Sequence, residues 1–331
     1  MAKLFKELTQ EDKLKIKELY LSADDPASDM TRLKAQEELS QEYGVTSRSI
    51  RTWAKELQIG VMAKNVIDGA KILIYDVETP RLRANIWWSG KQYVNGNDIV
   101  DEPKIITVAW KWFGGNKVHT AEWDDIDGVQ CDKNLMITFL EAYNEADLVV
   151  GVNNNSFDNR WINARAMKHG LHVNMFVKSL DLQRQMKRIA RLPTYALKYL
   201  CKFFDVTMKL SHSGITMWNM VQYGTPPEKK TYMKEMIHYN IGDIISTEEV
   251  YVKMIPYMSH KAHLGVIAGS NKHSCPVCGE QDNIIHTGDA YTGAGTIQRL
   301  MKCGNDGAQY KISNREYLHW RSEEADFNIK Y

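Results

Sequence analysis

Four carboxylates spread over the middle of the chain constrain its fold more than any other feature: Asp76 and Glu78 in KILIYDVETP, Asp158 in GVNNNSFDNRW, and Asp243 in IHYNIGDIIS. The apolar, β-branched run from Lys71 to Tyr75 reads as a buried strand with Asp76 and Glu78 at its C-terminal end. Side chains alternate across a strand, so residues two apart share a face and both carboxylates point the same way. Two like charges held that close repel unless cations sit between them. Ligation by oxygen alone suits Mg²⁺ or Mn²⁺ rather than Zn²⁺.

The other two acids sit in patterns that complete the set. Leu148 to Val152 reads as a second buried strand, the polar NNNS turn follows, and a helix begins near Phe157 with Trp161, Ile162 and Ala166 at helical spacing. Asp158 therefore stands at a helix N-terminus just beyond a strand's C-terminal end, where open α/β sheets gather their ligands. Met236 to Met254 reads as one long helix, and Tyr239 and Asp243, four apart, share a face of it. Each feature alone has an ordinary structural reading: an acid at a helix start, for instance, simply suits the helix dipole. The order of the three, each behind its own element, is what argues for a site.

That order, DVET, then N-x-x-FD (Asn154, Phe157, Asp158), then Y-x3-D (Tyr239, Asp243), resembles the three motifs of the DEDD, or DnaQ-like, 3′→5′ exonucleases. The stretch ADLVVGVNNNSFDNRWINARAMKHG is most similar to the proofreading domain of family-B DNA polymerases, and the likeness runs from about Lys71 to Pro256. No polymerase palm or fingers follow, so the resemblance implies a stand-alone exonuclease on a ribonuclease-H-like α/β fold. Its mixed sheet should have the Asp76 strand central, a strand around Ile105 to Trp112 beside it, and the Leu148 strand on the other side. The resemblance also implies roles. Asp76, Glu78 and Asp243 would hold the first of two Mg²⁺ or Mn²⁺ ions, with Asp76 bridging to the second and Asp158 assisting through water. Tyr239 would orient the attacking water, Thr79 and Phe157 would contact substrate, and Asn154 would contact substrate or brace the turn. Cleavage would release nucleoside monophosphates from a free 3′ end, with DNA, single-stranded above all, as the expected substrate. His238 keeps one alternative open, because HYNIGD also fits the H-x4-D spacing of the sister group with a histidine base. Adjacent helical residues point about 100° apart, so only one of the two can face the metals; the polymerase-like surroundings favour Tyr239.

The 331 residues carry a formal net charge of +1, which argues against a blanket polyanion binder and for a local patch. One is visible after the second motif, where Lys178, Arg184, Lys187, Arg188, Arg191, Lys198, Lys202 and Lys209 face only Asp181 and Asp205. Tyr195, Tyr199, Phe203 and Phe204 interleave with them, as a single-strand path with stacking platforms requires; a solvated helix face is the plainer reading. Arg184, Lys187, Arg188 and Lys198 are the candidate substrate contacts. No apolar run approaches a membrane span, and MAKLFKELTQ lacks the apolar core of a signal peptide, so a cytoplasmic protein with no membrane partner is expected.

Two smaller modules flank the central one, giving expected boundaries of 1–60, 71–258 and 270–331. In the first, Thr9 can cap a helix carrying Leu14, Ile16 and Leu19, and a second helix runs from about Met30 to Tyr43. Gly44 then allows a tight turn, Thr46 or Ser47 caps a third helix, and Ile50, Trp53 and Leu57 form its apolar stripe. The spacing of Leu39, Gly44, Val45 and Ile50 resembles a helix-turn-helix, with Arg48 and Arg51 exposed on the would-be recognition helix. In the last module, HSCPVCGE is a C-x2-C knuckle and Cys303 follows one hairpin later, an arrangement similar to a zinc ribbon. Asp306 occupies the place of the fourth cysteine; His273 and His286 compete for that role. One structural Zn²⁺ is expected on Cys275, Cys278, Cys303 and Asp306, whereas Cys131 and Cys201 read as buried thiols on helices. His260 and His263 read as surface residues. Two rival functions stay open: a DNA-binding regulatory protein whose nuclease-like domain is structural, and an RNA-directed or structure-specific nuclease on the same fold.

Overall fold

The computed structural model describes residues 7–23, 31–56, 70–91, 93–126, 128–207, 212–260 and 262–329. Three helices come first, α1 (Gln10–Ala23), α2 (Arg32–Tyr43) and α3 (Ser47–Glu56). Thr9 and Asp12 cap each other across the first turn of α1, the Thr9 N–H donating to Asp12 Oδ2 (2.8 Å) and the Asp12 N–H to Thr9 Oγ1 (3.1 Å). Gly44 closes α2 at φ 63°, a left-handed conformation that glycine adopts without a Cβ penalty. Of the two candidate caps for α3, Thr46 accepts the Ser49 N–H at 3.2 Å. Leu8, Ile16, Leu39, Tyr43, Ile50 and Trp53 form a core of their own. Met30 and Leu57, expected in α2 and α3, lie outside the described residues, as does Lys209.

The central module runs β1 (Ile72–Glu78), β2 (Arg83–Ala84), β3 (Ile99–Asp101), β4 (Thr107–Trp112), β5 (Val118–Glu122), β6 (Asp124–Ile126), β7 (Val129–Cys131), α4 (Lys133–Glu145), β8 (Leu148–Gly151), α5 (Asp158–His169), β9 (Lys178–Asp181), α6 (Leu182–Ile189), α7 (Leu197–Phe204), α8 (Ile215–Tyr223) and α9 (Pro226–Met254). Its main sheet has the order β5-β4-β1-β8-β9. β1 pairs antiparallel with β4 and parallel with β8, so the sheet is mixed and β1 is central, as the sequence leads one to expect. This is a ribonuclease-H-like α/β fold. Cys131 departs from expectation: it lies half-buried in the short β7, not on a helix.

Alternation along β1 decides where the site goes. Leu73, Tyr75 and Val77 pack on one side against Leu135, Phe139 and Tyr143 of α4 and Ile162 of α5. Ile72 and Ile74 pack on the other, against a core that includes Leu182, Met186, Leu200, Ile244 and Val250. Asp76 and Glu78 share the parity of Ile72 and Ile74 and so face α9.

α9 is 29 residues long, about 43 Å at 1.5 Å per residue. It begins sharply because Glu228 accepts from both the backbone N–H (2.8 Å) and the hydroxyl (2.6 Å) of Thr225, with Pro226 and Pro227 preset for the first turn. Glu248 on α9 pairs with buried Lys111 of β4 and accepts the Gly114 N–H at 2.9 Å. The neighbouring Glu249 pairs with Lys17 of α1, a buried lysine that also donates to Thr207 Oγ1 at 2.6 Å. Lys17 thereby ties the helical N-terminal module to the central one, and burial pulls its ammonium down to about 7.

After α10 (Leu264–Ile267), the chain ends in an antiparallel sheet of β10 (Ile284–Tyr291), β11 (Ile297–Cys303) and β12 (Gln309–Ser313), followed by α11 (Asn314–Ile329). Cys275, Val277, Met301, Cys303, Ala308 and Ile312 belong to the same apolar cluster as Tyr251, Met254 and Ile255 at the end of α9. His260 and His263 are half-buried in the connector, not at the surface: His260 Nε2 lies 3.0 Å from the Ile255 carbonyl, and burial lowers the pKa of both rings.

Candidate active site

At the C-terminal end of β1, oxygens of Asp76, Glu78 and Asp243 all lie within 4.8 Å of one another. Asp76 and Glu78 are half-buried, whereas Asp243 is 2% exposed. Three carboxylates crowded this closely, at a wall formed by a strand end and a helix, are the donor set that a hard divalent cation requires. Asp158, the first residue of α5, is 3% exposed and fixes the strand end by accepting the Val77 N–H at 3.1 Å. Burial, and then the neighbouring Asp76 carboxylate, push its pKa well above the ordinary carboxylate range.

The choice between His238 and Tyr239 has a geometric counterpart in α9. Tyr239 is 5% exposed and His238 is exposed. The Tyr239 ring meets His212 edge-on at 4.6 Å and lies 6.3 Å from Trp218, which itself contacts His212 at 5.1 Å. His212 is held by the Gly214 N–H, which donates to Nδ1 at 2.9 Å. That acceptor role leaves the ring's proton on Nε2.

Sequence reasoning missed two members of this neighbourhood. Asn240 is fully buried and its amide donates to Asp76 Oδ2 at 2.8 Å, orienting a carboxylate that a cation would need. Its signal was available: it stands three residues before Asp243 on the same helix and so shares a face with it. His212 had no such signal, being linked to Tyr239 only through the packing of α8 on α9.

The turn between β8 and α5 is a polar lattice. Asn153 adopts φ 66°, and its N–H donates to Asp181 Oδ1 at 3.1 Å. Asn154 is fully buried, its amide donating to Ser179 Oγ at 3.2 Å. A side chain at Gly151 would come within 2.8 Å of Asn154 Cβ, so only glycine lets the turn close there. Phe157, by contrast, is 39% exposed and leans on Trp161 at 6.2 Å, while Thr79 is half-buried beside Glu78.

The basic segment divides. Arg184 and Arg188 line a cavity of about 250 Å³ together with Ser179, Asp181, His260 and Pro276. Lys187 instead bonds Gln183 at 2.7 Å and lies over the Tyr195 ring, and Lys198 is exposed on α7. Phe203 is half-exposed; Tyr195, Tyr199 and Phe204 are partly buried.

A second cluster gathers in the C-terminal module, where ligand atoms of Cys275, Cys278, Cys303 and Asp306 lie within 4.8 Å of one another. Backbone N–H groups of Val277 and Asn305 point at Cys275 Sγ (3.3 Å) and Cys303 Sγ (3.4 Å), the knuckle geometry that steadies thiolates. Hydrogen bonds from Cys275 and Cys278 pull the Cys303 thiol far below its usual range, and the Cys275 and Cys278 thiols are raised in turn. The competing histidines are occupied elsewhere: His273 stacks on Trp320 at 5.1 Å, and His286 bonds Asp289 at 3.0 Å.

Fold and site together define a nuclease-like α/β domain with an acidic cluster suited to divalent metal. In agreement, residues 100–255 match the family model described as RNase_H_2, of the RNase_H superfamily. No curated protein matches the chain. Among solved structures, the chain is similar to the family B DNA polymerase of the hyperthermophilic archaeon Pyrobaculum calidifontis, at 17% identity and a TM-score of 0.43 over 61% of this chain. It spans only 26% of that polymerase's length. Among the described residues, no helix is long and apolar enough to cross a membrane.

Proposed function

We propose that this chain is a metal-dependent 3′→5′ exonuclease that hydrolyses DNA, single strands above all, and releases nucleoside 5′-monophosphates. The observation that carries the reading is the meeting of Asp76, Glu78 and Asp243 within 4.8 Å, with Tyr239 on the buried face of α9 and His238 on the exposed one. Asp76, Glu78 and Asp243 would hold Mg²⁺ or Mn²⁺, with Asp158 close by. Divalent cations there supply the Lewis acidity that activates water and offsets charge developing on the phosphoryl oxygens.

The chain's own groups do the rest. Asn240 keeps Asp76 aimed, because the hydrogen bond its side-chain amide donates to Oδ2 restrains that carboxylate's rotation. Tyr239, its ring edge-on to His212, carries a hydroxyl that can hydrogen-bond the attacking water. Exposed Phe157 offers a ring face to the terminal base. The water oxygen bonds to phosphorus, the P–O3′ bond to the preceding nucleotide breaks, and that nucleotide keeps a 3′-hydroxyl. Cys275, Cys278, Cys303 and Asp306 would hold one structural Zn²⁺, a donor set of three sulfurs and one oxygen that closes the site to chemistry.

The test is digestion of 5′-labelled single-stranded DNA with Mg²⁺ or Mn²⁺ against EDTA, comparing wild type with Asp76→Ala on linear and circular forms. A metal-dependent ladder shortening from the 3′ end is expected, lost in the variant and on circles. Cleavage of circles would make the enzyme an endonuclease. An RNA-only ladder would shift the substrate class.

A further inference from the structure

The connection from β1 to β4 is far longer than the two to five residues that usually join antiparallel neighbours. It leaves the sheet at Glu78, crosses Thr79 and Pro80, and builds a separate hairpin. β2 and β3 form its base, with Arg83 opposite Asp101 and Ala84 opposite Ile99. The Asn85 N–H donates to the Asp98 carbonyl at 2.8 Å, and a 3-10 turn at Gly96–Asp98, capped by Asn95, closes the far side. The base is anchored: Arg83 bonds Asp101 at 3.0 Å and lies over the Tyr223 ring at the end of α8, 5.7 Å from its centroid.

The tip is apolar and outside. Trp87 is 91% exposed, Trp88 63% and Tyr93 102%, beside exposed Ile86 and Leu82. Tryptophan is among the most costly side chains to leave in water, and three large aromatics on one short tip indicate a surface that something covers. The charges say what. Arg81 and Lys91 are exposed there; of the acids, Asp101 is engaged by Arg83 and Glu102 by Lys168 (3.0 Å) and Arg165 (3.6 Å), which leaves half-buried Asp98 of the 3-10 turn as the acid without an ion pair among the described residues. Aromatic faces interleaved with cations fit a polyanion whose bases are unpaired, since stacking needs a free base face and the cations need phosphate. The chain's reach allows it: Arg81, three residues beyond Glu78, can lie at most about 11 Å from it, and Trp87 at most about 32 Å.

We propose that the tip of this hairpin, through Trp87, Trp88 and Tyr93 with Arg81 and Lys91, is a stacking platform for the single strand upstream of the 3′ end held at the carboxylates. The proposal rests on the exonuclease reading for the strand's direction, but not for its binding. It assigns strand selectivity to a segment that contributes nothing to the acidic cluster.

The experiment measures binding without hydrolysis. An Asp76→Asn chain in EDTA is titrated with fluorescein-labelled oligothymidylate of about 20 nucleotides, followed by anisotropy, and compared with a trinucleotide too short to span the site and the tip. Adding Trp87→Ala, Trp88→Ala and Tyr93→Ala should weaken the long strand at least about tenfold and leave the trinucleotide within about twofold. Trp87→Phe with Trp88→Phe should restore most of the loss, which a misfolded hairpin would not. Equal binding of the long strand by parent and triple alanine variant overturns the proposal. Equal loss for both lengths also overturns it, since the effect would then lie at the site itself. If sedimentation shows a self-associated parent that the triple variant dissociates, with strand binding unchanged, the patch is a protein contact instead. Failure of the wild type to shorten DNA would remove the exonuclease reading while leaving this binding result to stand on its own.

Discussion

Replacing Asp243 by asparagine removes one of three charges while keeping shape, and its effect on stability can be worked from the cluster. Two unit charges 4.8 Å apart repel by about 3.5 kcal/mol at an effective dielectric constant of about 20. The real cost is bounded: a carboxylate can take up a proton instead, at about 4 kcal/mol near pH 7. Asp76 and Glu78 are half-buried, so solvent screens part of the repulsion and about 1–3 kcal/mol remains to be relieved. In EDTA, Asp243→Asn should therefore unfold at higher urea than wild type, by about that free energy. Mg²⁺ at about a hundred times its dissociation constant should add about 2.7 kcal/mol to the wild type and much less to the variant. Urea unfolding followed by circular dichroism, with and without Mg²⁺, reads both. A variant less stable than wild type in EDTA, or equal Mg²⁺ stabilisation of both, would refute the idea that these carboxylates are held together against repulsion for a cation.

Three further outcomes are expected. Tyr239→Phe should keep its fold and lose about 10²-fold or more in turnover, while His238→Ala stays near wild type; the reverse pattern in a single-turnover assay would hand the role to histidine. Asp132 is fully buried and accepts from Arg165 Nε (2.7 Å), Arg165 Nη2 (2.9 Å), the Ile105 N–H (2.9 Å) and His169 (2.7 Å). Asp132→Ala should thus cost about 3 kcal/mol in urea unfolding by leaving the buried Arg165 charge with the more distant, exposed Glu102 (3.6 Å), and adding Arg165→Met should recover much of it. Burial raises the Asp132 pKa, but the Arg165, Ile105 and His169 bonds outweigh it, so the net shift is downward. Its stabilisation is therefore complete above the unfolded-state value near 4 and is lost as pH falls through the lower folded value, which acid unfolding of wild type against the double variant would show. Cys275→Ser should lose bound zinc by atomic emission and lower the melting temperature, whereas Asp306→Cys should keep the metal.

How much of this could be read from the sequence follows the range of the interactions. β1 announces itself as an unbroken apolar, β-branched run, and the two-residue parity of a strand put Asp76 and Glu78 on one face, that of α9. Asp243 and Tyr239 were legible from a four-residue helical step. Cys131 was misassigned because a three-residue strand leaves too little pattern to outweigh the helix that starts at Lys133. The bond from Lys17 to Glu249 and the ring contact of His212 with Tyr239 join residues far apart in the chain, and no local period encodes them. The exposed hairpin escaped for the opposite reason. Apolar residues in a sequence are taken for core, and Trp87, Trp88 and Tyr93 depart from that rule.

The long helix α9 has a consequence for how this chain can be cut and recombined. One rod carries Asn240 and Asp243 at the acidic cluster, Glu248 against Lys111, Glu249 against Lys17 of the first module, and Tyr251 and Met254 in the apolar cluster of the last. The three modules are therefore not beads on a string. Removing the C-terminal sheet would bare Tyr251 and Met254 to water, and removing the first helices would leave Glu249 without its buried cation. The chain is expected to resist grafting of single modules onto unrelated hosts.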